Sequence, residues 1–335
     1  MRILFAGSPA IAVPSLKAVS DLELEPKAAE QGRGIVLAGL LSNPDSRRGR
    51  KAELEPTDVS AAALELDALR KEKGLSPIAQ LKPEKLDAQA REEAAALSPD
   101  LLVSFAYGRI FGPRFLGLFP LGGINIHPSL LPKYRGASPI PACILAREKE
   151  TGICIQKLAL EMDCGDILAE ERFPLAGRET ALSLSETVSA RAALLLRELL
   201  LDYGPRAAAA RPQEGDAVYC RQVKKEAGLI DWYKSALEID AQIRAYTPWP
   251  LSFTSRGKDT LFILEAEPLE GSAVGSMVVG SVAPGTVLGI DKKSGILIQT
   301  GEGVLAVTRL QWQAKKALDW KSFCNGERGF VGTRF

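Results

Sequence analysis

Short apolar runs recur along the first half of the chain, each closed by small or polar residues. Arg2 to Ala6 leads into Gly7-Ser8-Pro9, Ile35 to Leu41 into Ser42-Asn43-Pro44-Asp45, and Asp100 to Ala106 into Tyr107-Gly108. Runs of this length bounded by turn formers predict buried strands. Between them the spacing predicts helices over Ala10 to Ser20, over Ala61 to Lys73 with Leu64, Ala68 and Leu69 on one side, and over Pro83 to Leu97, Pro83 suiting a helix start. Gly74 to Ala79 predicts a short strand, Thr151 to Leu160 alternates loosely as another, and Thr180 to Tyr203 reads as a long helix. Strands alternating with helices predict the α/β class: a doubly wound, mostly parallel, Rossmann-like sheet. In such sheets ligands bind beyond the carboxyl ends of the strands.

The texture changes after Tyr203. Pro205 and Pro212 flank a run of alanines, and beyond Phe253 short Val, Ile and Leu runs are separated by glycine, as in Gly285 to Ile290 and Gly295 to Ile298. Closely spaced short strands predict a second, smaller β-barrel domain of OB-like type. The expected division is a first domain over 1–203, a linker over 204–217 and a second domain over 218–335.

Composition narrows the picture. Over 335 residues, 46% apolar and 25% charged is ordinary for a soluble globular chain. The formal net charge of +1 gives no global attraction to nucleic acid, so any such contact must come from local clusters. From Arg206 onward, 17 Lys and Arg face 14 Asp and Glu, a mild basic excess. The five cysteines show no Cys-x-x-Cys spacing, and with one histidine they do not make an ordinary zinc site, so no metal is expected. An odd cysteine count without a framework fits a reducing compartment. No apolar run approaches the about 20 residues that span a bilayer. A cytoplasmic location without membrane attachment is expected.

The single histidine lies in Gly123-Ile124-Asn125-Ile126-His127-Pro128. Read as a strand, this sends Ile124 and Ile126 to one face and Asn125 and His127 to the other. Pro128 has no amide hydrogen, so pairing stops there. An amide donor beside a titratable ring at a strand end suits holding an oxyanion and moving a proton. The plainer alternative is an interior histidine and a turn asparagine.

The continuation Ser129-Leu130-Leu131-Pro132-Lys133-Tyr134-Arg135-Gly136 makes the whole string resemble the folate-dependent formyltransferases, which move a formyl group from 10-formyltetrahydrofolate to an amine. That chemistry is acyl transfer through a tetrahedral intermediate. It needs an oxyanion donor and a proton manager, but no enzyme nucleophile, because the amine supplies one. The resemblance implies a third residue. The family's loop ending Asp-x-Gly-Asp plus two apolar residues matches Asp163-Cys164-Gly165-Asp166-Ile167-Leu168, which makes Asp163 the base and histidine partner. On the residues alone, an Asx-turn role for Asp163 stays open. The resemblance also implies folate contacts along Ser129, Leu130, Leu131 and Pro132, with Tyr107 and Gly108 opposite. A core role for Leu130 and Leu131 remains the alternative.

The acceptor is implied by the back half. Tyr219 to Glu226, Gly228 to Trp232 and Ile243 to Pro250, with Phe5-Ala6-Gly7-Ser8-Pro9 at the front, resemble the branch of the family that formylates the methionyl initiator tRNA. In that branch the C-terminal barrel, here 218–335, and a basic loop of the first domain grip the tRNA, and the resemblance implies that the loop is Pro44-Asp45-Ser46-Arg47-Arg48-Gly49-Arg50-Lys51. Arg47, Arg48, Arg50 and Lys51 are its expected phosphate contacts. The alternative is a solvated surface loop. A monomer is expected. Three features depart from the branch: Pro128 after the histidine, Leu160-Glu161-Met162 before the aspartate, and the acidic Ala52 to Thr57. Purine-pathway and sugar-nucleotide formyltransferases, a formyltetrahydrofolate hydrolase and an inactive RNA-binding protein are the rival readings.

Overall fold

The computed structural model describes residues 1–25, 34–48, 53–269, 282–327 and 329–335. Its strands, in chain order, are β1 (Arg2–Gly7), β2 (Val36–Leu41), β3 (Ser46–Arg48), β4 (Glu53–Glu55), β5 (Gln80–Leu81), β6 (Leu101–Phe105), β7 (Gly123–His127), β8 (Arg135–Gly136), β9 (Glu150–Lys157), β10 (Ile167–Pro174) and β11 (Tyr219–Cys220). Seven of them form one sheet in the order β10-β9-β7-β6-β1-β2-β5. β5, β2, β1, β6 and β7 are parallel neighbours, and β9 runs antiparallel to β7. β1, β6 and β7 are apolar where they meet: Ile3, Leu4, Phe5, Leu102, Val103 and Ile124 are fully buried. Each such side chain contributes about 1.5–3 kcal/mol on burial. The sheet is the Rossmann-like architecture the run pattern predicts, with an antiparallel edge.

Helices Val13–Leu24, Asp58–Glu72, Ala88–Ala96 and Ala181–Leu201 occupy the predicted intervals with shifted ends. The shifts have local causes. The third helix begins at Ala88 rather than Pro83, because the Asp87 side chain accepts from Ala90 N at 3.1 Å and caps it there. Thr57 caps the second helix through Ser60 N at 3.2 Å. The strand expected over Gly74 to Ala79 falls at Gln80–Leu81. Ile78 N is taken by Asp67 Oδ1 at 2.7 Å, and the ladder to β2 forms only where Leu40 and Leu41 face Gln80 and Leu81. A short helix, Tyr203–Ala208, continues after the long one. β10 was not expected: its Glu170-Glu171-Arg172 interrupts the apolar run.

The chain forms two compact units. One comprises Met1–Pro139, Glu150–Phe173 and Ser185–Cys220; the other comprises Ile140–Lys149, Pro174–Leu184 and Arg221–Phe335. The second unit holds an antiparallel sheet: β12 (Ser252–Arg256), β13 (Asp259–Leu269), β14 (Val287–Asp291), β15 (Gly295–Gln299), β16 (Val304–Trp312) and β17 (Leu318–Asp319). Its order is β12-β13-β16-β15-β14, with β17 on β16. Helix Ala236–Ala245, started by a Ser235/Glu238 capping box, packs Ile239 and Ile243 with Ile263, Ile298 and Leu305 of this sheet.

Candidate active site

β7 is the last parallel strand, and its carboxyl end carries the site. Ile124 and Ile126 are buried on one face. Asn125 and His127 emerge on the other, and His127 remains only 4% exposed. Register sets the neighbours. Ser104 of β6 and Gln156 of β9 flank Asn125, while Cys154 of β9 lies beside His127. Side chains directly opposite share a face, so Gln156 projects toward Asn125.

The loop between β9 and β10 brings Asp163 to this row. Asp163 Oδ1 lies 3.5 Å from Asn125 Nδ2 and 3.6 Å from His127 Nδ1. Gln156 Nε2 donates to the same oxygen at 2.9 Å, and Gly136 N donates to Oδ2 at 2.8 Å. These bonds to the carboxylate come from other segments, which is not the pattern of an Asx turn. Asp163 adopts φ 56°, a conformation that aspartate tolerates better than most residues. The close approach of the loop depends on Gly165. A Cβ there would lie 1.8 Å from the Lys157 carbonyl oxygen.

The imidazole is fixed at one end. His127 Nε2 lies 2.8 Å from the Tyr134 carbonyl oxygen, which can only accept, so Nε2 carries the hydrogen. Burial pushes His127 below its ordinary value, although the Asp163 carboxylate and the Tyr134 carbonyl both favour the cation. In the neutral ring Nδ1 therefore presents a lone pair toward Asp163 Oδ1. Two acceptors facing each other at 3.6 Å leave a position for one proton.

The turn after the strand is held by its own bonds. Ser129 Oγ donates to the Lys133 carbonyl at 2.6 Å, and Leu131 N donates to Cys154 Sγ at 3.3 Å. Leu131 packs with Cys154 and Ile167, and Leu130 lies against Gly152. Pro132 is buried, and its carbonyl accepts from Val218 N at 3.2 Å. At the end of β6, the Tyr107 ring is buried and stacks on Phe111 at 5.4 Å, so that side chain belongs to the core. Gly108 is exposed with φ 80°. Burial raises the Cys154 thiol to about 12, which makes it a poor nucleophile near neutral pH.

The basic stretch is only partly described. β3 and β4 pair as an antiparallel hairpin, with Arg47 across from Leu54 and Arg48 across from Glu53. Arg47 is exposed. Arg50 and Lys51 lie outside the described residues. The structure thus brings Asn125, His127 and Asp163 together beside the Ser129 turn. It also shows participants that sequence reasoning missed. Gln156 had one signal: a polar residue directly after the apolar run Ile153-Cys154-Ile155. Gln213, which donates to the Asp163 and Gly165 carbonyls at 2.8 and 2.9 Å, had none.

A family model described as formyl transferase matches residues 11–199, and one described as formyl transferase, C-terminal domain, matches residues 222–328. The methionyl-tRNA formyltransferase of Treponema denticola is 47% identical over 334 residues, covering 99% of this chain and 98% of that protein. The Borrelia recurrentis protein of the same name is 36% identical over 335 residues, with full coverage of both. Among solved structures, WlaRD, a sugar 3N-formyl transferase, matches with a TM-score of 0.61 at 16% identity, covering 94% of this chain and 99% of that one. At that identity the likeness speaks for the fold. The chain belongs to the formyl transferase family, in its methionyl-tRNA formyltransferase branch, and is a formyltransferase.

Proposed function

We propose that the chain transfers the formyl group of 10-formyltetrahydrofolate to the α-amino group of methionyl initiator tRNA, acting as a cytoplasmic monomer in translation initiation. The observation that carries the chemistry is the meeting of Asp163 Oδ1 with His127 Nδ1 and Asn125 Nδ2 at 3.6 and 3.5 Å. Such contacts tighten when substrate arrives. The acceptor is supported by relatives named for methionyl-tRNA, matched over nearly their whole length.

The residues divide the work. Asn125 Nδ2 donates to the formyl oxygen and holds the charge that develops there as the amine nitrogen bonds to the formyl carbon. The proton shed by that nitrogen enters the position between Asp163 Oδ1 and His127 Nδ1. It leaves for the folate nitrogen as the old carbon–nitrogen bond breaks. The Tyr134 carbonyl keeps Nε2 protonated, so the ring works through Nδ1. An α-amino group with a pKa of about 7.7–8.0 is substantially neutral at working pH. No cysteine needs to carry the formyl group.

The folate is expected along Ser129, Leu130, Leu131 and Pro132 and against Gly108. Ser129 and Leu131 are already committed to the protein, so this stretch offers a stiff backbone edge. A flat heterocycle with donors and acceptors on its rim suits such an edge. The Tyr107 contribution is then its backbone, because its ring is in the core. Arg47, Arg48, Arg50 and Lys51 are the proposed phosphate contacts of the tRNA.

Incubation with 10-formyltetrahydrofolate and a panel of acceptors tests the proposal. Formylation of methionine-charged initiator tRNA is the expected outcome. Transfer only to an amino sugar nucleotide or glycinamide ribonucleotide, or release of free formate, overturns it.

A further inference from the structure

Gln213 lies far from Asp163 in sequence and just before the chain enters the second unit, yet it sits at the centre of the catalytic loop's bonding. Its Nε2 donates to the Asp163 and Gly165 carbonyls at 2.8 and 2.9 Å and reaches Gln156 Oε1 at 3.2 Å. Its Oε1 accepts from Arg135 through Nε at 3.0 Å and through a terminal nitrogen at 2.6 Å. Gln156 repeats the arrangement one step nearer the chemistry. Its Oε1 accepts from Gly165 N at 3.2 Å, which turns its Nε2 onto Asp163 Oδ1 at 2.9 Å. Both amides are oriented by their partners: carbonyls cannot face Oε1, and a guanidinium cannot face Nε2.

We infer that Arg135, Gln213 and Gln156 form a positioning relay that aims the Asp163 carboxylate at His127. The guanidinium polarises the Gln213 amide. That amide polarises Gln156, and Gln156 donates more strongly to the carboxylate in consequence. The same amides tie down the loop backbone on either side of Cys164. Arg135 is itself steadied by Tyr219, whose hydroxyl lies 3.1 Å from an Arg135 terminal nitrogen and whose ring lies 5.8 Å below the guanidinium carbon. β8 and β11 pair here, Arg135 with Tyr219 and Gly136 with Cys220. The Gly136 amide that holds Asp163 Oδ2 is therefore part of the same construction. The inference rests on Asp163 acting as proposed above.

Gln213→Glu is nearly isosteric and tests it. A carboxylate can still pair with Arg135 but cannot donate to the loop carbonyls, and it adds negative charge near Asp163. The readout is the single-turnover rate at saturating substrates against pH, with the KM for each substrate. The expected result is a rate lower by about 10²-fold, as for a catalytic group misplaced by about 1 Å. The acid limb should move upward by about one pH unit, because the substitution sets a further negative charge close to Asp163 and His127, and both KM values should hold within about twofold on this reading. Arg135→Gln removes the charge at the far end and keeps the test open if Gln213→Glu melts early; its limb must move the same way. An acid limb that stays in place in a folded variant overturns the relay, whatever the rate. Asp163→Asn separates the two claims. If it retains turnover, the proposed role of Asp163 fails; if it is inactive while the limb in Gln213→Glu stays put, only the relay fails.

Discussion

The end of β7 and the β3–β4 hairpin are opposite solutions to placing charged groups. At β7, the Asp163 carboxylate is held by Gly136 and Gln156, and the Nε2 end of the imidazole is tied to the Tyr134 carbonyl. At the hairpin, Arg47 and Arg48 lie on a three-residue strand paired with Glu53–Glu55, and Leu54 is 68% exposed. The positive residues from Arg47 to Lys51 are met in sequence by Asp45, Glu53 and Glu55. The difference fits the roles proposed for the two regions. Oxyanion stabilisation and proton transfer gain most from groups fixed before the reaction, because no reorganisation is then needed at the transition state. Phosphate recognition is long-ranged and tolerant of position, so exposed cations serve it without a packed frame.

The sharpest way to break the contrast is to remove a fixed group. Asp163→Asn keeps the shape of the side chain but cannot hold a proton at neutral pH. The single-turnover rate of formyl transfer should fall by about 10²–10⁴-fold, the usual worth of general acid–base catalysis. Circular dichroism and thermal melting should remain near those of the parent. Substantial turnover would show that the imidazole handles the proton alone.

A backbone change at the same loop probes the packing rather than the charge. Gly165→Ala would place a methyl carbon 1.8 Å from the Lys157 carbonyl oxygen, and no side-chain rotation relieves that contact. The loop must shift, carrying Asp163 with it, and the rate should fall by about 10²-fold for a displacement near 1 Å. Leu54→Ala in the exposed hairpin should leave formyl transfer at saturating tRNA within about twofold, since surface substitutions usually act within about 0.5 kcal/mol. Equal losses in the two variants would erase the distinction between the regions.

The third test asks whether the hairpin acts through charge. Arg47→Ala should raise the KM for tRNA several-fold and lower the log–log salt slope of binding by about 0.7–0.9 for one lost phosphate contact. Folate binding, followed by titration, should be unchanged. A lowered rate at saturating tRNA would instead place Arg47 in the chemistry.

How far each region could be read from the sequence follows from the same physics. Period-two alternation put Ile124 and Ile126 against Asn125 and His127 without any tertiary information, because a strand has only two faces. The encounter of that row with Asp163 is set by the β7–β9 register, with Asn125 opposite Gln156, and by a loop that Gly165 allows to close. Neither is a local property. The resemblance supplied Asp163 where spacing alone left an Asx turn open. Gln213 was invisible because a connecting segment shows no periodicity, and its role exists only through its distant partners. Helix ends were misread where a cap such as Asp87 outweighed an earlier Pro83. For the hairpin the sequence showed the charges but not the strand pairing that sets Glu53 across from Arg48.

The smallest expected effect concerns protonation of the fixed ring. Unfolded His127 should titrate near its ordinary value of about 6.5. In the folded chain burial lowers it, against the pull of Asp163 and the Tyr134 carbonyl. Above about pH 6.5 both states are neutral at this position, and the residue adds no pH dependence to stability. As pH falls below that value, the unfolded chain takes up the proton first, so folding stability drops until the folded value is passed. His127→Gln keeps an amide that can donate to the Tyr134 carbonyl but has nothing to titrate. The difference in melting temperature between parent and His127→Gln, followed from pH 8 toward pH 5, should therefore turn against the parent as the solution is acidified. The opposite trend, with the parent gaining, would mean that Asp163 outweighs burial. The ring would then already hold its second proton in the free enzyme, the position between Nδ1 and Oδ1 would be filled before the amine arrives, and the packed site would be primed to donate rather than to accept.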